Sequence, residues 1–290
     1  MRFSTAVALS MIALLASSPT LAQSVGTVVP DAAPVREPTI YDGDYLTVGV
    51  GAGYGPSYEG SDDYLAFPAA AIQGHFRGIG ISARAFGVAL DFIDDAQNER
   101  LSFNLGPVVR LRTDRTSRIK DRVVSLLGKR KTAVELGVAA GVTLNRPVTG
   151  YDTLTANVDV TYDVAGAHGG TLVVPSLSYL TPVSQGAAVF LSLSAEHTSS
   201  DYADYYYSVT RAGSRASGLP VFRAGSGWKN VGATAAGVVD LNGKLGDGGF
   251  ALYFGGGYWR LLEDTKRSPI VSIRGTAGQF IGAVGVGFTF

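Results

Sequence analysis

From Tyr45 onward, apolar and polar positions alternate with a period of two, the mark of strands with one apolar face. Leu46, Val48, Val50, Ala52 and Tyr54 share one side; Thr47, Gly49, Gly51 and Gly53 share the other. Leu101, Phe103, Leu105, Pro107, Val109 and Leu111 alternate in the same way with Ser102, Asn104, Gly106, Val108, Arg110 and Arg112. Residues 134–144 set Glu135, Gly137, Ala139, Gly141 and Thr143 against an apolar side, and 154–162 do so with Thr155, Asn157, Asp159 and Thr161. The pattern returns at 189–195 and in 279–290, where Phe280, Gly282, Val284, Val286, Phe288 and Phe290 share a face. With further candidates at 64–74, 78–84, 87–93, 170–180, 228–241 and 248–258, the count reaches twelve strands.

Alternation alone fits a water-soluble sandwich as well as a barrel in lipid. The polar sides favour the barrel: they are dominated by Gly, Ala, Ser and Thr, as suits a lumen, and most strands approach the roughly 9–11 residues of a tilted spanning strand. The expected fold is all-β, a transmembrane antiparallel up-and-down β-barrel. Connections near 75–77, 94–99, 147–152, 181–186 and 242–247 are short and predicted to be periplasmic turns. Those near 55–63, 113–132, 199–227 and 259–276 are long and predicted to be extracellular loops. Phe280, Phe288 and Phe290 are the expected membrane-insertion signal, with Phe290 in the inner aromatic girdle where barrel assembly machinery would read it. Arg110, Arg112, Glu135, Asn157 and Asp159 are the expected lumen-lining polar residues.

The first residues change the picture of location. Arg2, an apolar run over 6–16 and Thr20-Leu21-Ala22 read as a signal peptide cut near Ala22. The expected organisation is a signal peptide at 1–22, an extended periplasmic tail at 23–44 carrying Pro30, Pro34 and Pro38, and an outer-membrane barrel at 45–290. The chain has no cysteine, so neither a disulfide framework nor a thiolate site is available. Its net charge is zero, which gives no electrostatic footing for nucleic acid.

Candidate chemistry is sparse. His75, His168 and His197 are the only histidines, none in a zinc spacing, and the sole Ser/His neighbourhood sets Ser192 and Ser194 opposite His197 across the strand. No catalytic, metal or cofactor site is expected. Glu59, Asp62 and Asp63 could gather a hard cation, but Gly-Pro, Gly-Ser and paired Asp favour a solvated turn. The loop 113–132 is basic; Ile119, Val123, Leu126 and Leu127 suggest a short amphipathic helix capped by Gly128. Such a loop suits lipopolysaccharide phosphates or plain solvent. Tyr202, Tyr205, Tyr206 and Tyr207 suit an adhesive surface, an interfacial anchor or a fold into the lumen, with the structural uses favoured.

These loops carry a resemblance. PSYEGSDDYLAFP (56–68) holds Pro56, Tyr58, Gly60, Ser61, Asp62, Asp63 and Tyr64, and DYADYYYSVT (201–210) holds Tyr206 and Tyr207. SGLPVFRAGSG (217–227) holds Ser217, Gly218, Leu219 and Pro220; YWRLLEDTKRSPIV (258–271) holds Ser268 and Pro269; GVGFTF follows at 285–290. Together they resemble the MipA/OmpV family of Gram-negative outer-membrane proteins. The chain departs from that pattern in a longer basic loop and in Glu263, which stands where a glycine is expected before Asp264. The resemblance implies a non-enzymatic outer-membrane barrel that scaffolds peptidoglycan-remodelling enzymes, a lytic transglycosylase and a penicillin-binding protein. Its other expected partners are outer-membrane lipid and lipopolysaccharide. A small-solute channel and a surface adhesin or antigen are the alternatives.

Overall fold

The computed structural model describes residues 39–95 and 99–290. The expected signal peptide and residues 23–38 of the expected tail lie outside the described residues. Twelve strands run β1 (Tyr45–Pro56), β2 (Tyr64–Phe76), β3 (Ile79–Arg84), β4 (Gly87–Asp91), β5 (Leu101–Arg112), β6 (Ala133–Asn145), β7 (Thr153–Asp163), β8 (Thr171–Ser184), β9 (Ala187–Thr198), β10 (Gly227–Asp240), β11 (Gly249–Leu261) and β12 (Gly278–Thr289). Each pairs antiparallel with the next, and β12 closes on β1 through pairs such as Thr47↔Thr289 and Gly51↔Gly285. The result is a closed barrel with no helix, among the described residues, long and apolar enough to cross a membrane.

Burial is inverted relative to a water-soluble protein. Val50, Tyr54, Phe103, Val138, Leu193, Phe254 and Val284 are exposed on the outer face, whereas Thr47, Glu135, Asn157, Asp159, Thr161 and Asp163 are buried on the inner one. So large an exposed apolar surface needs lipid around it. Aromatic pairs mark both ends of the apolar band. Tyr258–Phe280 (4.7 Å) and Tyr54–Tyr64 (5.5 Å) lie toward the long loops, and Phe250–Phe288 (4.7 Å) and Phe288–Phe290 (6.0 Å) toward the short turns. Phe280 and Phe288 stand about 26 Å apart along the strand, close to the ~25 Å of a barrel's apolar belt.

The wall is uneven. The hairpin β3–β4 is made of 6- and 5-residue strands, too short to span. It follows β2 through a tight turn at Arg77 and Gly78, both at positive φ, and pairs with β2 only from Gly74 to Phe76. The edge of β2 from Tyr64 to Ile72 therefore lacks a strand partner among the described residues. Pro68 sits on that edge, where its missing N–H costs no ladder bond. Two basic side chains cover part of it: Lys120 donates to the Tyr64 carbonyl (2.7 Å) and Arg118 to that of Ala66 (3.2 Å).

At the turn side the extended tail expected through Asp44 gives way earlier. Ile40–Asp42 forms a 3-10 turn closed by the Thr39 backbone N–H donating to Asp42 Oδ2 (2.6 Å), and the Tyr41 ring meets Tyr45 edge-on at 4.9 Å. Apolar and aromatic contact with the barrel rim holds these residues, which periodicity at 45 and beyond does not register.

Candidate functional site

The long loops fold inward over the outer mouth. They contribute α1 (Arg122–Ser125), α2 (Ser200–Tyr207), α3 (Arg211–Ser217), α4 (Glu263–Arg267) and α5 (Pro269–Ser272). Local chemistry starts and stops each piece. Asp121 caps α1 by accepting from the Val124 N–H (2.8 Å), and Thr210 caps α3 by accepting from Gly213 (3.1 Å). Gly218 ends α3 in the left-handed region, and Ser268 with Pro269 opens α5. The expected amphipathic helix of the basic loop is thus a single turn: Ile119, Val123, Val124 and Leu127 pack inward while Leu126 is exposed.

Two apolar clusters bind these loops into one lid. Tyr202, Ala203, Tyr206 and Tyr207 of α2 pack with Leu172, Ala224, Leu261 and Val271. Tyr58, Val124, Val209, Leu219 and Ile270 form the second cluster, drawing on four separate loops. Hydrogen bonds between side chains and backbone stitch the same loops together. The Gly60 N–H donates to Gln279 Oε1 (2.9 Å), the Gln279 amide donates to the Ser61 carbonyl (3.2 Å), and Ser268 Oγ donates to the Tyr207 carbonyl (2.6 Å). Gly275 passes so close to the Gly60 carbonyl that a Cβ there would collide with it.

Beneath the lid lies a cluster of buried charges. Arg112, the last residue of β5 at its loop-side end, donates to Glu135 Oε1 (2.7 Å) and Glu196 Oε1 (2.8 Å), and its Nη1 is 4.0 Å from Glu59. Lys229, 1% exposed, reaches Glu59 Oε1 at 2.7 Å and Glu196 Oε2 at 2.5 Å. It points inward because the register against β9 slips between Trp228 and Asn230, a bulge that leaves Lys229 and Asn230 on the same side. The Tyr202 ring lies between the cations, 5.0 Å from Arg112 Cζ and 5.4 Å from Lys229 Nζ. Tyr207 donates its hydroxyl to Glu59 Oε2 (2.7 Å). Burial, then the Glu59 charge, pushes the Tyr207 phenol well above its ordinary value, so it stays a donor. His168 accepts the Gly170 N–H on Nδ1 (3.0 Å), which places its proton on Nε2, 3.4 Å from Glu135 Oε1.

Chemically this arrangement can act as a latch. Three carboxylates meet two cations out of water, and removing one partner of such a set costs about 3–5 kcal/mol. A second polar chain lies on the inner face below. Arg84 of β3 reaches Asp159 of β7 at 2.8 Å, and Asp159 accepts from Asn157, which in turn accepts from Asn104.

Several sequence expectations change here. Glu59 belongs to no solvated turn, since Lys229 and Tyr207 hold it, while Asp62 is exposed. Tyr202, Tyr206 and Tyr207 are buried, which agrees with the structural use favoured for them and leaves these three no adhesive surface. Arg110, Arg112, Glu135, Asn157 and Asp159 stand on the inner face, Arg110 paired in register with Glu135. Among the loop residues singled out, Tyr58, Gly60, Ser61, Tyr206, Tyr207, Leu219, Ser268 and Pro269 converge in the lid, whereas Pro220 remains exposed. Lys229, Glu196 and His168 were not singled out; a lone Lys amid Gly and Ala in β10 was the available signal. His197 faces outward against the Trp228 ring at 5.3 Å.

A family model described as MltA-interacting protein MipA matches residues 48–290. No curated protein matches the chain. Among solved structures it is similar to the COG4313 outer membrane channel from Pseudomonas putida F1, at 15% identity over 91% of this chain and 100% of that one, with a TM-score of 0.44. It is also similar to the outer membrane protein OprD from Pseudomonas aeruginosa, at 9% identity over 88% and 95%, with a TM-score of 0.31. The barrel assignment rests on the strand pairing described above.

Proposed function

Because this chain belongs to the MltA-interacting protein MipA family, we propose that it is a non-enzymatic scaffold, an outer-membrane barrel that ties peptidoglycan-remodelling enzymes to the envelope. Its partners in this reading are a lytic transglycosylase and a penicillin-binding protein on the periplasmic side. The observation that carries it is the closed mouth: the lid and its latch leave the outer end occupied by the protein's own loops, an arrangement suited to an anchor. Partner contact then falls to the turn side, where Thr39 lies against Gly246. Residues 23–38 precede it and, fully extended, reach at most about 55 Å; they are the proposed docking element.

Crosslinking in intact envelopes tests this, comparing the full chain with a form lacking 23–38. Murein enzymes recovered only with the full chain support the scaffold. Equal recovery from both forms moves the contact to the turns, and no recovery from either removes the reading.

A second reading, a gated channel for small anions, is favoured by Arg110 and Arg112 on an inner face otherwise rich in small residues. It requires the lid to open, and planar-bilayer recordings that stay silent under all voltages would remove it.

A further inference from the structure

Among the described residues Arg115 is the largest fully buried side chain, 1% exposed, and none of its three guanidinium nitrogens has a hydrogen-bond partner there. Five N–H donors left unmatched inside a protein are costly, more so on a charged group. The backbone also holds Arg115 at φ +51°, a left-handed conformation that a non-glycine residue adopts at a cost of about 1 kcal/mol or more. The loop thus accepts strain at the residue whose side chain it buries.

Two further unmatched donors lie in the same region. Arg130 is bound to Arg115 through the backbone, its N–H donating to the Arg115 carbonyl at 2.9 Å, and its Nε is buried without a partner. Its guanidinium stacks over Tyr205 at 4.9 Å, the Tyr205 ring meets Tyr206 edge-on at 4.9 Å, and the Tyr206 hydroxyl is again buried and unpartnered. The acid beside them is Asp114, whose Oδ1 is engaged by the Glu59 N–H at 2.7 Å. Two guanidiniums stand against one carboxylate, an excess of positive charge, and the unmatched donors come from two loops, Arg115 and Arg130 from one and Tyr206 from α2. The cations also act on each other: burial, then the Arg115 charge, lowers Arg130 to about 10.

We propose that Arg115, Arg130 and the Tyr206 hydroxyl form a binding site for a small phosphate-class oxyanion beneath the outer lid. Guanidinium forks match the paired oxygens of such a group, the phenol supplies a further donor, and the bound charge offsets the mutual repulsion of the two arginines. The site is separate from the latch at Lys229, uses no residue of 23–38, and stands whether or not the scaffold reading holds. The same chemistry can arrive as a free anion or as the phosphate of a lipopolysaccharide headgroup at the rim.

Calorimetric titration of the purified full chain in nonionic detergent, after long equilibration and against chloride at matched ionic strength, tests it. Inorganic phosphate is one titrant and lipid A in mixed micelles the other. Arg130→Gln and Tyr206→Phe are compared with wild type, each checked for the barrel's circular dichroism, and Arg115→Lys provides a variant that keeps the charge but not the fork. Saturable phosphate binding that weakens about tenfold or more in Arg130→Gln, and measurably in Tyr206→Phe, identifies a free-anion site. Lipid A binding with the same dependence, without a phosphate response, identifies a headgroup site. Binding of neither titrant, or binding unchanged in the two folded variants, overturns the proposal.

Discussion

Lys229 Nζ lies 2.7 Å from Glu59 Oε1, joining a bulge in β10 to the first long loop across the top of the barrel. Both groups are held under Tyr202 and Tyr207, so the pair closes the lid only while both charges are present. A barrel wall alone does not need such a contact; a closed mouth does.

Lys229→Met keeps the apolar stem and removes the charge. It leaves Glu59 and Glu196 facing each other with Arg112 as their remaining cation, and lid opening becomes easier by about 3–5 kcal/mol. Hydrogen exchange at the α2 amides is the measurement, with an acceleration of about 100-fold or more expected. Adding Glu59→Gln should recover part of the loss, because the two changes share one interaction.

Glu263 sits at φ +43° and accepts the Trp228 N–H on its carboxylate at 3.0 Å. The strain and the bond oppose each other. Glu263→Ala loses the bond and keeps the strain, whereas Glu263→Gly loses both. Denaturation should therefore rank Gly above Ala at this position by about 1 kcal/mol, with Gly close to wild type.

The lid should also weaken in acid. Burial raises the Asp121 carboxyl, but the Arg274 guanidinium at 2.7 Å and the Val124 N–H outweigh it and hold the carboxyl below its ordinary value. A carboxylate lowered on folding contributes stability that is complete above about pH 4 and disappears as pH falls through its lowered value. Protease sensitivity of the loops in wild type and Asp121→Asn should thus differ at pH 7 and converge in strong acid.

Phe288 joins Phe250 and Phe290 at the turn-side rim. Phe288→Ala should slow insertion into lipid vesicles, followed by the gel shift between unfolded and folded forms, while an inner-face change such as Ser192→Ala should leave the rate unaltered.

Periodicity carries the barrel well, because a strand between lipid and lumen must alternate at every step. It also marks β3 and β4 as short candidates, with Arg77-Gly78 the tight turn that separates β3 from β2. The site is less legible. Lys229 lies one residue before Asn230 on the same side, so strict alternation turns it toward lipid, and only the bulge reverses that. Glu59 stands among turn-forming residues, and nothing local reports that Lys229 and Tyr207 will enclose it. Arg115 looks like any member of a basic loop. Its burial arises from tertiary packing of the loops, which no window of sequence contains.

The most direct measurement is the affinity of a purified MltA-type lytic transglycosylase for the barrel in lipid nanodiscs, with and without residues 23–38. Saturable binding by the full chain that is lost in the shortened form is the predicted result. No binding by the full chain, or equal binding by both, would contradict a scaffold that works through the segment before Thr39.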